Sequence, residues 1–327
     1  VKALVTGGAG FIGSTLVDRL LAEGWEVEVL DDLSTGSLAN LAEARALRDR
    51  RFRFHKLDVT APEATELVAR RRPDVVFHLA AQSSVARSVA EPVLDASVNI
   101  LGTIRILEGA RLGGVGRVVY AASGGTLYGS DPPLPTGEDQ PWRPASPYGI
   151  SKKVALEYLI FYRSLYDVEF VALALANVYG PRQDPHGEAG VVSIFAEALL
   201  DGRPCEIHGT GRQTRDFVYV DDVVDAFIRA VERGGGLVMN IGSGTETSIV
   251  ELHERLAALA GRPSAPVVAG PPRAGDVERS VLDAKLAELH LGWRAWTPLD
   301  EGCRAVLDYL SSSRRPAPSS EPSAPEP

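Results

Sequence analysis

Apolar residues in this chain come in short runs, each stopping at a polar or glycine-rich stretch, and between the runs they recur at helical spacing. Residues 1–5 form such a run and read as a buried strand. The run stops at Thr6-Gly7-Gly8-Ala9-Gly10-Phe11-Ile12-Gly13, after which Leu16, Val17, Leu20 and Leu21 mark one face of a helix. The runs at 26–30, 52–57, 74–79 and 115–122 repeat the theme and stop at Asp31-Asp32, Asp58-Val59, Ala80-Ala81-Gln82 and Ser123. Strands alternating with helices predict an α/β fold, a Rossmann-type doubly wound parallel sheet with ligands at the strand C-terminal ends. The expected division is a dinucleotide-binding domain over 1–175 and a smaller C-terminal α/β lobe over 176–310. The segment 216–231 reads as a strand running into a helix that packs back on the first domain. The Ser/Pro/Ala/Glu-rich end, 311–327, is expected to be disordered.

The first turn carries chemistry. Glycines at 7, 10 and 13 let the backbone bend tightly and let a pyrophosphate approach the helix N-terminus, where unpaired N–H groups and the helix dipole favour negative charge. An acidic residue at the end of the second strand suits an adenosine ribose and repels a 2′-phosphate, so Asp31 favours NAD over NADP. The alternative is that Asp31 caps the turn that follows. Asp58-Val59 is placed to meet the adenine, and the small residues Ala80 and Ala81 let the backbone pass close to the cofactor.

Two longer helices are predicted. One starts at Pro147 and runs to Tyr166; Val154, Ala155, Leu156, Leu159, Ile160 and Phe161 make it apolar nearly all round, which predicts burial on both sides. The other spans 92–112. Tyr148 and Lys152 stand four residues apart near the start of the first helix and share one of its faces. A tyrosine is a poor base at neutral pH; a neighbouring ammonium and a second positive charge favour the phenolate and lower its pKa.

Composition narrows the picture further. The chain has 327 residues, 45% of them hydrophobic, enough for a large core and one or two domains. A net charge of −9 argues against nucleic acid as a main partner. Cys205 and Cys303 are too few for a disulfide framework, no apolar stretch is long enough to span a bilayer and no signal peptide is visible, so a cytoplasmic protein is expected. The six histidines show no metal-ligand spacing, so no metal is expected, and His78 reads as a satisfied core residue. No Gly-x-x-x-x-Gly-Lys-Ser/Thr run occurs, which disfavours a nucleotide kinase or ATPase.

Together the glycine turn, Asp31-Asp32, Asp58, Leu79-Ala80-Ala81-Gln82, Asn99, Ser123 and Tyr148-x-x-x-Lys152 resemble the extended short-chain dehydrogenase/reductases, and within them the UDP-glucose (UDP-galactose) 4-epimerases. Asn177-Val178-Tyr179-Gly180-Pro181-Arg182-Gln183, Gly190-Val191-Val192, Arg215-Asp216-Phe217-Val218-Tyr219-Val220-Asp221-Asp222, Asn240-Ile241-Gly242-Ser243-Gly244 and Arg273-Ala274-Gly275-Asp276 extend the resemblance to about residue 310. It implies an isomerase that keeps NAD tightly bound and inverts C4 of a UDP-hexose through a transient 4-keto sugar. Tyr148 is implied as the base, with Lys152 on the nicotinamide ribose. Ser123 then hydrogen-bonds the reacting hydroxyl, with Thr126 as the substitute relay. The implied NAD contacts are Gly7, Gly10, Phe11, Ile12, Gly13, Asp31, Asp32, Leu33, Ser34, Thr35, Gly36, Asp58, Val59, Leu79, Ala80, Ala81, Gln82, Asn99, Ser123, Tyr148, Lys152 and Ala176. The implied UDP-sugar contacts are Ser84, Ser123, Thr126, Tyr148, Asn177, Val191, Glu206, His208, Arg215, Arg273 and Asp276, the arginines suiting two phosphates. A homodimer through the two long helices is implied as well.

The chain departs from many relatives at Gly124, where they carry Ser/Thr, and at Leu173-Ala174-Leu175-Ala176-Asn177, where they carry an Arg-Tyr pair. The same mechanism on UDP-glucuronate is the nearest alternative, with Ser84, Ser123, Gly125 and Thr126 as donors to the carboxylate; UDP-N-acetylhexosamine is a third substrate. A 4,6-dehydratase needs an Asp-Glu pair after the catalytic Ser/Thr, where this chain has Gly124-Gly125. A non-catalytic NAD-binding regulator is the alternative of another class.

Overall fold

The structure is a computed structural model and describes residues 1–47, 50–185, 190–271 and 277–313. Seven strands form the central sheet: β1 (Lys2–Thr6), β2 (Glu26–Asp31), β3 (Phe52–Lys56), β4 (Val75–His78), β5 (Arg117–Ser123), β6 (Phe170–Leu175) and, after the three short strands of the second lobe named below, β10 (Val238–Ile241). Every pairing is parallel, in the spatial order β10-β6-β5-β4-β1-β2-β3. The order reverses between β1 and β4, so the connections leave to opposite sides and open a crevice above those two strand ends.

The strands other than the edge strand β3 are buried on both faces, as a parallel sheet covered by helices must be, whereas β3 has no fully buried residue. Odd positions such as Val5, Val29, Phe77, Val119 and Leu173 pack with Leu16, Leu20, Val223 and Phe227 from the helices Phe11–Ala22 and Val220–Arg229. Even positions such as Leu4, Leu30, Val76, Val118 and Ala172 pack with Leu67, Ile106, Leu107, Leu156 and Leu159 from Pro62–Arg71, Gly102–Gly113 and Pro147–Tyr166. The helix Val220–Arg229 packs on the sheet, and β10 pairs with β6.

The second lobe holds β7 (Asn177–Tyr179), β8 (Cys205–His208), β9 (Thr214–Tyr219), β11 (Glu246–Ser248) and β12 (Val267–Gly270), in one three-stranded and one two-stranded sheet. Its core is Val192, Phe195, Leu199, Ile207, Phe217, Leu252, Leu256 and Val306. Cys205 and Cys303 are both buried free thiols.

Three expectations need correction. The helix Pro147–Tyr166 has the bounds its sequence predicts, but it is buried on one side only: Ile150, Ile160, Phe161, Leu165 and Tyr166 are exposed. The 92–112 helix is not continuous α-helix. Pro92–Ala96 passes into a π turn at Ser97–Leu101 before Gly102–Gly113, and the wider turn carries the buried Asn99. The last helix, Leu299–Ser313, runs past the expected start of the tail at 311, and 314–327 lie outside the described residues. Among the described residues, no helix is long and apolar enough to cross a membrane.

Candidate functional site

The turn after β1 is built by close backbone approach. Gly7 has φ +69°, and a Cβ there would lie 2.7 Å from the Ala80 backbone nitrogen. A Cβ at Gly13 would collide with the Gly7 carbonyl oxygen. The helix Phe11–Ala22 therefore begins against the turn itself, with no acidic side chain in its first turn and no side chain capping its start. Such a helix end suits a phosphate, and the space a Cβ would fill is what lets the backbone serve as the cradle.

Asp31 ends β2 and ties two loops together. Its Oδ2 accepts from Ala9 N (2.9 Å) and its Oδ1 from Leu33 N (2.8 Å). Burial raises its pKa, and the two backbone donors pull it back. The capping role foreseen as the alternative is thus real, and spare lone pairs remain for a ribose. Asp32 Oδ1 accepts from Ser34 N (2.8 Å) and Ser34 Oγ (2.7 Å), which shapes the loop that carries Leu33, Ser34, Thr35 and Gly36. Gly36 sits so close that a Cβ would lie 2.9 Å from Asp31 Oδ1. After β3, Asp58 Oδ1 accepts from Thr60 N (2.8 Å), and Val59 is buried.

Ser123 ends β5, and the helix Pro147–Tyr166 brings Tyr148 near it, so that the Ser123 hydroxyl favours the phenolate. The helix starts as its sequence dictates, with Pro147 in the first turn and the Ser146 hydroxyl accepting from Gly149 N. Lys152, one turn on, is buried; its Nζ donates to Ala121 O (2.9 Å) and lies 5.9 Å from the Tyr148 ring centre and 4.8 Å from that of Tyr120. Thr126 Oγ1 is buried and has no hydrogen-bond partner among the described residues.

The electrostatics differ from the sequence expectation. Tyr148 keeps some accessible surface, yet the protein packed around it desolvates the phenol and pushes its pKa up to about 12; the nearby Ser123 hydroxyl opposes this. The ammonium nearby does not reverse the shift, and Lys152 is itself desolvated and drawn down to about 8. His78 adds no charge. It is fully buried between Thr6 Oγ1 (2.7 Å) and Thr103 Oγ1 (3.0 Å), and burial holds its pKa near about 3, so it is the satisfied core histidine expected. The chain's own groups leave Tyr148 protonated at neutral pH.

Behind this pair lies a polar network that the sequence reading did not identify. Gln82 N donates to Asn99 Oδ1 (2.9 Å), and Asn99 Nδ2 donates to Gln82 O (3.0 Å), to Ser151 Oγ (3.1 Å) and to Asp95 Oδ1 (3.0 Å). Gln82 Nε2 also donates to Asp95 Oδ1 (2.9 Å) and to Ser84 O (2.8 Å). A carboxylate within an apolar helical stretch, four residues before Asn99, was the available signal for Asp95.

The other expected residues fall on neighbouring elements. Leu79, Ala80 and Ala81 follow β4, with Ala80 N donating to Thr6 Oγ1 (3.2 Å). Ala176 links β6 to β7, its N donating to Ile241 O (2.8 Å), and Asn177 opens β7. Val191 opens the helix Val191–Asp201; Glu206 and His208 lie on β8; Arg215 lies on β9, its Nη1 donating to Thr214 O (2.7 Å). Arg273, Asp276 and His186 lie outside the described residues.

The geometry therefore gathers the glycine turn, the Asp31 carboxylate and the Ser123, Tyr148 and Lys152 cluster at the C-terminal ends of the strands. Comparison with known proteins points the same way. The chain is 53% identical to a UDP-glucose 4-epimerase of Mycolicibacterium smegmatis, over 95% of this chain and 98% of the relative. Among solved structures, a UDP-glucose 4-epimerase with UDP-glucose from Thermotoga maritima superposes with a TM-score of 0.92 at 43% identity, covering 96% of this chain and 100% of that one. A UDP-glucose 4-epimerase complex with NAD from Thermus thermophilus gives 0.88 at 42%, again over 96% and 100%. The profile of the NAD dependent epimerase/dehydratase family matches residues 3–242. The chain belongs to that NAD-dependent family, as an extended short-chain dehydrogenase/reductase.

Proposed function

We propose that this protein inverts C4 of a UDP-hexose, interconverting UDP-glucose and UDP-galactose. The observation that carries the reading is Tyr148 beside Ser123 with the buried Lys152 one turn away, at the same strand C-terminal ends as the glycine turn. The 53% identical relative and the Thermotoga structure support the choice of sugar nucleotide.

NAD, when bound, supplies a hydride acceptor at C4 and a fixed positive charge. The residues proposed to hold it are Gly7, Gly10, Phe11, Ile12 and Gly13 at the pyrophosphate, Asp31 to Gly36 at the adenosine ribose, and Asp58 and Val59 at the adenine. Leu79 to Gln82, Asn99, Lys152 and Ala176 line the nicotinamide side. Tyr148 takes the proton of the sugar 4-hydroxyl and later returns it, and Ser123 keeps that hydroxyl aimed at the phenol oxygen. Lys152 stays charged and holds the ribose. Thr126, with its unpaired hydroxyl, offers a further donor to the hexose together with Ser84. Asn177, Val191, Glu206, His208, Arg215, Arg273 and Asp276 are assigned to the nucleotide half.

A 4,6-dehydration is disfavoured by space as well as by residue type. A Cβ at Gly124 would run into the Leu282 side chain and lie 2.9 Å from Ala174 O, so no acidic side chain fits there. Incubating the protein separately with UDP-glucose, UDP-glucuronate and UDP-N-acetylglucosamine, and resolving products by NMR, tests the reading. UDP-galactose forms from UDP-glucose; absence of C4 inversion in all three refutes it.

Arg215→Ala should raise the Michaelis constant for the UDP-sugar by roughly 10- to 100-fold, the loss of one charge-assisted phosphate contact, while bound NAD is unchanged. Steady-state kinetics beside the cofactor absorbance check this; an unchanged constant removes Arg215 from the nucleotide site.

The protein also pairs with a second copy in this reading. The helix Pro147–Tyr166 and its neighbours expose Val89, Val93, Leu101, Ile150, Phe161 and Leu165, which leaves an apolar face that a symmetric partner covers. Phe161→Glu should convert a dimer at micromolar concentration into a monomer by light scattering. A monomeric parent protein would overturn the assignment.

A further inference from the structure

We propose that Asp95 is a positioning residue: its buried carboxylate and the amides it holds fix the helical turn that carries Tyr148 and Lys152, and its charge adds to the barrier against a phenolate at Tyr148 until the positive charge of the cofactor is in place. This rests on Tyr148 being the base of the reaction proposed above. Asp95 is 1% exposed and lies on Pro92–Ala96, just before the π turn. Its Oδ1 accepts from both Gln82 Nε2 and Asn99 Nδ2, and among the described residues no cation is hydrogen-bonded to it. Asn99 passes the restraint on to Ser151 Oγ, which donates to the Tyr148 carbonyl oxygen (2.9 Å). One buried carboxylate thus fixes, through two amides and a hydroxyl, the helical turn that carries both Tyr148 and Lys152.

The ionisable groups around it can be named. Tyr148 and Lys152 face it from Pro147–Tyr166, Tyr120 from β5, and neutral His78 lies beyond on β4. Arg87 on the preceding helix and Glu91 just after it are exposed and pair with each other at 3.1 Å. The Asp95 charge disfavours a phenolate at Tyr148 and favours the ammonium at Lys152. A base that ionises only beside bound cofactor does no proton chemistry in a protein without it. The anion adds to the desolvation that makes the ionisation conditional.

Asp95→Asn separates charge from structure, because an amide oxygen still accepts both hydrogen bonds. The Tyr148 proton is read directly by NMR of ring-labelled tyrosine in NAD-loaded protein, its resonance identified by its loss in Tyr148→Phe. We expect the midpoint of Tyr148 to fall by roughly one pH unit in Asp95→Asn, and the acid limb of the kcat profile to move with it. Asp95→Ser also removes the charge and carries the same test if Asp95→Asn does not fold. A folded, charge-free variant whose Tyr148 midpoint is unchanged or higher overturns the proposal, and a loss of kcat at all pH values with an unmoved midpoint does the same. The titration does not involve the sugar, so a parent protein that fails to invert C4 refutes the reaction without touching this result.

Discussion

Tyr148→Phe should lower kcat for C4 inversion by about 10²- to 10⁴-fold, the range expected when a positioned general base is removed. The ring is retained, so the helix start and its packing stay. The fold loses only the phenol hydroxyl beside Ser123, a cost of no more than about 1 kcal/mol. NAD content should not change, since Lys152 still donates to Ala121 O and the glycine cradle is untouched. A phenol held at about 12 is ionised in about one molecule in 10⁵ at pH 7. Catalysis near neutral pH therefore requires an added positive charge at the ring, and protein stripped of NAD should show no base at Tyr148. Kinetics with near-ultraviolet circular dichroism check the variant. A folded Tyr148→Phe protein that inverts the sugar at the parental rate would remove Tyr148 from the mechanism.

Gly13→Ala should remove the cofactor. The added carbon meets the Gly7 carbonyl oxygen and lies 2.9 Å from Gly7 C and Gly8 Cα, all of them backbone atoms. No side chain can move aside, so the helix Phe11–Ala22 must shift away from the turn after β1. Overpacking of this kind costs about 1–3 kcal/mol of stability. A displaced helix end also loses its alignment with the pyrophosphate; a loss of about 3 kcal/mol there is roughly a hundredfold in affinity. The variant should purify with little or no NAD and melt several degrees lower. Full NAD content, measured by absorbance after denaturation, would show that the cradle is not formed by this approach.

Much of this was legible in the residues. The parallel sheet follows from apolar runs that each end at a chemically distinctive residue, because strands buried on both faces need no alternation and ligands collect at their ends. Tyr148 and Lys152 share a face by spacing alone, and Pro147 and Ser146 mark the helix start. The π turn at Ser97–Leu101 was not legible, since one extra residue in a helical turn leaves the apolar spacing almost unchanged. The one-sided burial of Pro147–Tyr166 was hidden for a different reason: an apolar face reads the same whether its cover is the chain's own core or another copy. The protonation of Tyr148 depends on desolvation, a property of the packed surroundings that spacing does not carry. Asp95 stood in plain view four residues before Asn99, but only the fold shows that it lies behind the reacting pair.

The central claim is that Tyr148 and bound NAD together take the hydrogens from the sugar 4-carbinol and give them back to the same molecule. UDP-glucose deuterated at C4, turned over in ordinary water and followed by NMR, tests this directly. The account predicts UDP-galactose that keeps deuterium at C4. Product carrying solvent hydrogen at C4, or no galactose at all, would contradict it.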